Sequence, residues 1–521
     1  MSSSGGSAKD MSITRRGFLK MASAAGLTGA TMATSGCLIT DKRIDGKGWL
    51  PQQYQGAGAF PVQARGRIAI DPMNPALDRD DQKCVLCGQC IEVCRGSQGV
   101  FGYYQLPVKN DFICVHCGQC SLWCPTAAIT ENFNITAVGE ALVNPDKIVF
   151  VQTAPATRVA LGEDFGLKPG TWVQGQQVAA LKELGFDRVF DTLFTADLTI
   201  MEEGSELIKK LKGETNGHSQ LPQITSCCPG WIKFCEYFYP DLLHHLSSAK
   251  SPQQMFGTLA KTYYAEVNGI DPEKIVSVAI MPCTAKKFEA AREEIDAAGA
   301  YWNKKNIKDV DYVLTTRELA RLLKERGINL SSLPEEKYDS LMGKGSGAGL
   351  IFGNTGGVMQ AAIRSVYFLL TGQDCPREAF EMKNIYGLEG IKEASVKIPG
   401  FGSVSMAVVH GLKNARTVME GIRRREVPYH FIEVMACRGG CVSGGGQPRT
   451  TVPPSDAVRS ARIESLMKRD ATYELRESHE NKQVLELYET FLEHPLSTKA
   501  YNLLHTKYTR RDHLLNAKQL G

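Results

Sequence analysis

The feature that most constrains this chain is the stretch at residues 431–448, FIEVMACRGGCVSGGGQP. Its apolar beginning, Phe431–Met435, predicts a buried strand. Cys437 and Cys441 follow the strand, and a run of glycines comes directly after them. Thiolates are soft ligands that select iron–sulfur clusters, zinc or copper, and glycines let the backbone pass close to a bulky group. The stretch therefore predicts a loop folded against a large metal centre.

Two further stretches combine a predicted strand with cysteines. Residues 223–231 read QITSCCPGW, and residues 275–289 read IVSVAIMPCTAKKFE. Taken in order, TSCCPGW, MPCTAKKFE and EVMACRGGCVSGGGQP resemble the three signature motifs of the iron-only (FeFe) hydrogenases. The resemblance runs from about residue 76 nearly to the C-terminus. Its one departure inside the motifs is Arg438, where the family more often has proline.

Length and composition limit the number of domains and the classes of protein that this chain can belong to. A chain of 521 residues is long enough for about three domains. Hydrophobic residues make up 43% and charged residues 22%, which is typical of a globular protein with real cores. The net charge of +4 is too balanced for a nucleic-acid partner or a polybasic membrane surface. No apolar run reaches the roughly 18 residues that a membrane span needs, so no internal span is expected.

The N-terminal residues have the pattern of a targeting segment and not that of a folded domain. Residues 12–20, SITRRGFLK, precede a mildly apolar stretch and resemble a twin-arginine export signal over residues 1–40; a disordered basic tail is the alternative. The resemblance implies export of the folded, metal-loaded protein to the periplasm by the twin-arginine translocase. Cys37 follows a poor lipobox because Thr34 replaces leucine, so lipid anchoring there is disfavoured, as is an uncleaved signal anchor. Residues 41–75 predict a linker or a strap over the surface.

Residues 76–140 carry a doubled cysteine pattern. The spacing C-x2-C-x2-C-x3-C occurs twice and is that of bacterial ferredoxins, in which the fourth cysteine of each run ligates the other cluster. Neither zinc nor disulfides would explain the doubled pattern. An α+β ferredoxin-like domain for electron transfer is therefore predicted, with one 4Fe–4S cluster on Cys84, Cys87, Cys90 and Cys124 and a second on Cys114, Cys117, Cys120 and Cys94.

Residues 145–455 alternate short apolar strands with helical patterns, which is typical of an α/β fold with largely parallel sheets. The motif cysteines follow predicted strands, where open α/β sheets bind their ligands. The predicted fold class is α/β: a two-lobed iron-only hydrogenase catalytic body, an N-terminal α+β bacterial ferredoxin-like domain and a helical C-terminal strap over residues 456–521. His505 in the strap is expected to be a packed structural histidine.

The resemblance assigns the cofactor residues. Cys228, Cys283, Cys437 and Cys441 match the ligands of a 4Fe–4S cubane, and Cys441 also matches the bridge to a two-iron subsite with CO, cyanide and a bridging dithiolate. The joined cofactor is the H-cluster. Lys286 matches a lysine that binds a cyanide, with a surface lysine as the alternative. The residues matching the cofactor wall, among which the methionines could equally be core residues, are Ala154, Pro155, Ala156, Gln253, Met281 and Met435.

The family's proton relay matches Cys227, Glu203, Ser247 and Glu206 in succession. Glu203 and Glu206 are three positions apart on a helix predicted to begin near Glu202, so they share a face. The alternative is that both are solvated carboxylates at a helix start, where the dipole favours them. Glu202 lies one residue off the pair and is expected to take no part.

Two classes of function remain. The first is an enzyme that reversibly converts two protons and two electrons to H2 at an H-cluster, with two 4Fe–4S clusters as electron relay. The alternative is a non-catalytic iron–sulfur assembly or redox-sensing relative of the fold. The presence of Cys227, Lys286 and Cys441 favours the enzyme. The implied partners are H2 and protons, maturation proteins that supply the two-iron subsite, the translocase and a periplasmic c-type cytochrome as redox partner.

Overall fold

A computed structural model describes residues 66–104, 112–214, 220–376 and 388–515. The twin-arginine stretch, Cys37 and most of the predicted linker lie outside the described residues, so those interpretations stay predictions. Within the described ranges, no helix has the length and apolar character required to cross a bilayer.

Ten strands are described. They are β1 (Leu77–Arg79), β2 (Ile129–Glu131), β3 (Ile148–Thr153), β4 (Arg188–Asp191), β5 (Gln223–Ile224), β6 (Ile275–Met281), β7 (Tyr312–Thr315), β8 (Ile391–Ile398), β9 (Gly402–His410) and β10 (Phe431–Met435).

The described α-helices follow in chain order. They are α1 (Gln89–Gly96), α2 (Gln119–Leu122), α3 (Ile135–Val143), α4 (Gln174–Glu183), α5 (Thr192–Leu211), α6 (Pro229–Phe238), α7 (Pro252–Lys261), α8 (Tyr263–Asn268), α9 (Ala285–Ala290), α10 (Ala297–Trp302), α11 (Thr316–Glu325), α12 (Gly347–Ile351), α13 (Gly357–Thr371), α14 (Leu412–Arg423), α15 (Asp456–Thr472), α16 (Lys482–Leu487) and α17 (Thr498–Leu504).

The N-terminal part of the described chain is a small α+β unit. Strands β1 and β2 pair antiparallel; α1 carries two cysteines of the doubled pattern, Cys90 and Cys94, and α2 carries Cys120. Each helix begins after a glycine in the left-handed region, Gly88 before α1 and Gly118 before α2. The packed segment starts earlier than residue 76, because Ile68 is buried and its N–H lies 3.3 Å from Cys90 Sγ.

Two four-stranded sheets form the larger part of the fold. In the first, ordered β4-β3-β6-β7, all strands are parallel. All seven residues of β6 are buried, as expected of a parallel sheet covered on both faces. In the second, ordered β5-β10-β9-β8, β8 alone runs antiparallel to its neighbour. The buried and exposed residues that alternate along β8 are typical of an edge strand with one solvated face.

The C-terminal strap, called the tail from here on and described from residue 456 to residue 515, is helical and packs on the first sheet. Val484, Leu487, Phe491 and Leu492, on α16 and the turn after it, are buried in one core with Phe150 of β3. This apolar stripe recurs at the helical spacing seen in the sequence. The tail is therefore an integral part of the core around the first sheet.

Candidate metal centre

The cysteines of the three motifs lie just beyond the carboxyl ends of strands. Cys283 follows β6 of the first sheet, whereas Cys228 follows β5 and Cys437 follows β10 of the second sheet. Parallel strands gather such loops at one edge of a sheet, which is where open α/β proteins bind ligands. Motifs that are far apart in the sequence are thereby brought to one place.

A cavity lies at this meeting point. Thr192 and Pro252, which the motif matches did not assign, contribute to its wall, and so does Phe352, which begins the glycine-rich stretch at residues 352–360 that matches a further wall of the family's cofactor. The structure brings every residue predicted to hold or line the cofactor to this one cavity: Cys228, Cys283, Cys437, Cys441, Ala154, Pro155, Ala156, Gln253, Met281, Met435 and Lys286, together with the predicted proton donor Cys227.

The four motif thiols are suited to a soft metal cofactor. All are free thiols. Burial raises the pKa of Cys283 to about 12, and it raises the pKa values of Cys228, Cys437 and Cys441 as well. Buried thiolates therefore need a positive partner, and thiophilic metals supply one. The donor set therefore fits an iron–sulfur cofactor.

Lys286 places an ammonium group at the cavity wall. Its Nζ donates to the carbonyl of Cys227 at 3.0 Å and to Glu289 Oε2 at 2.9 Å. Burial alone would lower the pKa of Lys286, but the charge of Glu289 raises it, so the side chain stays protonated. Since the side chain is only 11% exposed, the surface-lysine alternative is wrong. The motif match did not assign Glu289, although its position three residues after Lys286 on α9 was a usable signal.

A glycine and a buried carboxylate fix the loops around the cavity. Gly440 has φ +92°, and a Cβ there would lie 2.5 Å from the backbone nitrogen of Thr355. Only glycine allows this approach of two loops. Glu433 on β10 is fully buried and accepts hydrogen bonds from the N–H groups of Gly356 at 2.6 Å and Met359 at 2.8 Å. The glycine-containing loop at the start of α13 is therefore tied to β10, the strand that precedes Cys437.

The thiols of the doubled pattern group across the two runs. Burial raises the pKa of Cys90, and the nearby Cys87 and Cys124 add to the rise. Burial likewise raises the pKa of Cys94 to about 12, and the nearby Cys114 adds to it. The fourth cysteine of each run thus lies close to the other run, which is the arrangement typical of two-cluster ferredoxins.

The second run of cysteines packs against the loops that carry Cys283 and Cys441. A Cβ at Gly118, which has φ +69°, would meet Thr284 Oγ1 at 2.3 Å and the Cα of Gly445 at 3.0 Å. Thr284 Oγ1 donates to the carbonyl of His116 at 2.7 Å, and Ser121 Oγ donates to the carbonyl of Gly445 at 3.2 Å. This backbone-to-backbone contact places the second predicted cluster site beside the loops that carry Cys283 and Cys441.

Glu203 lies in the middle of a buried helix. α5 begins at Thr192, upstream of the expected start, because the Asp191 side chain caps it by accepting the N–H of Leu193. Glu203 is 1% exposed, and neither carboxylate oxygen has a hydrogen-bond partner among the described residues. Burial, with the charge of Glu206, raises the pKa of Glu203 to about 8. The alternative of a solvated carboxylate at a helix start is wrong.

The other predicted relay residues lie on either side of Glu203. Burial and then the charge of Glu203 raise the pKa of Cys227, which lines the cavity. On the outer side, Ser247 Oγ donates to Glu206 Oε2 at 2.6 Å. Burial alone would raise the pKa of Glu206, but the hydrogen bond to His505 and its charge lower it to about 2. Since Glu206 also lines a surface pocket, the residues lead from the cavity towards solvent.

Glu202 is not the inert neighbour that was expected. It is fully buried, its Oε2 lies 3.0 Å from His505 Nε2, and it accepts hydrogen bonds from the Tyr488 hydroxyl and from the N–H of Leu496. Burial alone would lower the pKa of His505, but hydrogen bonds to Glu202 and Glu206 raise it to about 9. His505 is therefore packed, as expected, but also charged. Because the partners are 303 positions apart, no local pattern could have revealed the pair.

Arg438 turns towards the tail. Its Nε and Nη2 donate to the two carboxylate oxygens of Asp456 at 3.0 Å and 2.8 Å, and its side chain is 46% exposed. The departure from the family motif therefore connects the cysteine loop to the first turn of α15.

The strand-end thiols, the apolar cavity and the adjoining ferredoxin-like unit define an iron–sulfur enzyme whose metal centre lies between two sheets. The family model for the iron only hydrogenase large subunit, C-terminal domain, matches residues 147–445, and that for the iron hydrogenase small subunit matches residues 456–511. The chain belongs to the iron-only hydrogenases, which are oxidoreductases acting on H2. The predicted family, fold class and enzyme class are confirmed, and the family implies an H-cluster with iron–sulfur clusters.

Individual relatives agree with this assignment. The NADP-reducing hydrogenase subunit HndD of Solidesulfovibrio fructosivorans is 48% identical over 85% of this chain and 76% of its own length. The periplasmic Fe hydrogenase large subunit of Nitratidesulfovibrio vulgaris is 50% identical over 57% of this chain and 67% of its own length. The solved apo FeFe-hydrogenase HydA1 of Chlamydomonas reinhardtii, a variant form, has a TM-score of 0.63 and 43% identity, covering 72% of this chain and 98% of that one.

The alternative class is more distant. The cytosolic iron-sulfur assembly component 3 of Bos taurus is 31% identical over 71% of this chain and 75% of its own length. The named hydrogenases share substantially more of the sequence, so the assembly or sensing alternative is disfavoured.

Proposed function

We propose that this chain reversibly interconverts H2 with two protons and two electrons at an H-cluster held in the central cavity. The observation that carries the proposal is the convergence of Cys228, Cys283, Cys437 and Cys441 on one cavity, which Cys227 also lines. Such a reaction needs a thiolate-held metal cofactor, a proton donor beside it and a route for electrons. Each of these has candidate residues around the cavity.

The four cysteines would hold the cubane, and Cys441 would also bridge to the two-iron subsite with its CO, cyanide and dithiolate ligands. This cofactor supplies the making and breaking of the H–H bond. Lys286, held by Glu289, would offer its ammonium group to a cyanide. The remaining residues, which would shape the cavity and exclude water, are Ala154, Pro155, Ala156, Gln253, Met281 and Met435.

Protons would pass between solvent and the cavity through Glu206, Ser247, Glu203 and Cys227. The pKa of about 8 keeps Glu203 mostly protonated at neutral pH, whereas the pKa of about 2 keeps Glu206 ionised. Protonated Glu203 could give a proton to Cys227, and ionised Glu206 could take up a proton from solvent to replace it. The burial of Glu203 without a fixed partner supports this role.

Electrons would travel through two 4Fe–4S clusters in the ferredoxin-like unit. The close contact between Gly118 and Gly445 supports transfer between the second cluster and the cubane. The proposed ligand sets are Cys84, Cys87, Cys90 and Cys124 for the first cluster and Cys114, Cys117, Cys120 and Cys94 for the second.

We further propose that the protein works in the periplasm and is exported already folded by the twin-arginine translocase. The sequence SITRRGFLK supports this, and a periplasmic relative is consistent with it. Maturation proteins would insert the two-iron subsite in the cytoplasm, before export. A c-type cytochrome would be the redox partner in that compartment.

Infrared spectroscopy of the matured protein, combined with an H2-uptake assay, tests the function. We expect CO and cyanide bands together with H2-dependent reduction of a dye. Cys441→Ser, prepared in parallel, should lack both. A matured protein with its full iron–sulfur content but with neither bands nor turnover would contradict the proposal and favour a non-catalytic assembly or redox-sensing protein.

A further inference from the structure

One side chain of the ferredoxin-like unit contacts a cubane ligand directly. Gln119 lies on α2 between Cys117 and Cys120 and is 4% exposed. Its amide nitrogen Nε2 is 3.2 Å from Cys437 Sγ and donates to the carbonyl of Ser443 at 2.8 Å. The same amide group therefore contacts a predicted metal ligand and the loop that follows it.

A hydrogen bond to a cluster thiolate affects how easily the cluster is reduced. Reduction adds negative charge to the cluster, and an N–H aimed at the sulfur stabilises that charge. The effect is large where burial keeps the dielectric constant low, and Cys437 is buried. Cys228 also receives an N–H, but from the backbone of Ala436 at 3.4 Å. Gln119 differs because its donor is a side chain, so the identity of one residue controls this contact.

We propose that Gln119, by donating to Cys437, raises the reduction potential of the H-cluster cubane and so sets the driving force for electron exchange with the neighbouring ferredoxin-like cluster. The inference rests on the proposed function, which puts the cubane on Cys437. When one electron enters the cubane, the proton stays on the Gln119 amide and no covalent bond changes. Gln119 is thus a positioning residue for charge, not a ligand.

The test is a redox titration followed by electron paramagnetic resonance, on protein produced without the two-iron subsite. The cubane signal is identified by its loss in Cys283→Ser. Gln119→Met keeps the length of the side chain but removes both N–H donors, and we expect the cubane to become harder to reduce. A tenfold shift of the reduction equilibrium corresponds to about 59 mV for a one-electron couple. Gln119→Glu, which keeps the shape, should shift the equilibrium in the same direction.

Gln89 provides the matched control, because it occupies the same place in the first run, between Gly88 and Cys90. Gln89→Met should leave the cubane midpoint unchanged. If both Gln119 variants assemble the cubane and keep the wild-type midpoint, the inference is overturned, even when a lower melting temperature shows that the Ser443 contact was lost. If the wild-type protein lacks a cubane signal altogether, it is the proposed function that fails.

Discussion

Glu203→Gln tests the proposed proton relay at Glu203, the buried carboxyl group whose pKa is raised to about 8. Glutamine keeps the shape of the side chain but can neither release nor accept a proton. We therefore expect turnover to fall by at least ~10²-fold, which is within the usual loss when an acid–base group is removed. Glu203 is not among the residues lining the cavity, so the clusters and the infrared bands should survive.

The same substitution should change how stability depends on pH. Burial raises the pKa of Glu203 from 4.5 to about 8, so between these values the folded protein holds a proton that the unfolded chain releases. Stability is unaffected by this group below pH 4.5, falls as pH rises, and is lowest above pH 8. At about 1.36 kcal/mol per pKa unit, the cost is on the order of 5 kcal/mol at alkaline pH. Glu203→Gln should remove that cost.

Two assays check these outcomes: H2 turnover at neutral pH, and urea unfolding at about pH 5 and about pH 9. Glu183→Gln is the matched control, since Glu183 is exposed at the end of α4, and it should change neither result. Glu202→Gln is unsuitable because it would break the buried pair with His505. Normal turnover of Glu203→Gln with intact clusters would mean that protons take another route. An unchanged difference between the two pH values would refute the buried, neutral state of Glu203.

Three further predictions follow from other parts of the chain. Cys441→Ser should abolish turnover and the two-iron bands while the ferredoxin-like clusters stay, because an alkoxide is a harder ligand; retained bands would contradict the bridge. The double change Arg15→Lys with Arg16→Lys should trap active enzyme in the cytoplasm, and normal export on cell fractionation would remove the twin-arginine interpretation. His505→Gln should lower the free energy of unfolding by ~3 kcal/mol at acidic pH because Glu202 loses its partner. Folding raises the pKa of His505 from 6.5 to about 9, so the loss of stability should be full below pH 6.5 and should shrink as the pH rises past 9. Urea unfolding at several pH values measures this loss, and a loss that does not depend on pH would refute the ion pair.

Short-range patterns predicted the parts of this molecule that depend on local chemistry. Cysteine spacing and strand-then-cysteine motifs indicated the family and the α/β class, both confirmed, because ligand spacing and the loops that follow parallel strands are local features of the sequence. The same motifs placed Cys227 and Lys286 at the cavity wall, where the structure has them.

Short-range sequence patterns could not predict contacts between segments that are far apart in the chain. Gln119 and Cys437 are 318 positions apart, and neither residue type signals the other. The start of α5 was missed for a related reason. Its cap, Asp191, is also the last residue of β4, so strand and helix signals overlap. The burial of Glu202 depends on the tail, whose docking only the folded chain shows.

The contact between Arg438 and Asp456 has a consequence for assembly. α15 covers the cysteine loop, and Arg462 on the same helix donates to the carbonyl of Val442 at 2.6 Å. The segment at residues 456–511 corresponds to what a family model describes as a small subunit, yet here it is covalently continuous with the cysteine loop. A short tether gives an effective local concentration on the order of millimolar, whatever the amount of protein present. The cover over the cysteine loop is therefore retained on dilution, and one copy of it accompanies every metal centre.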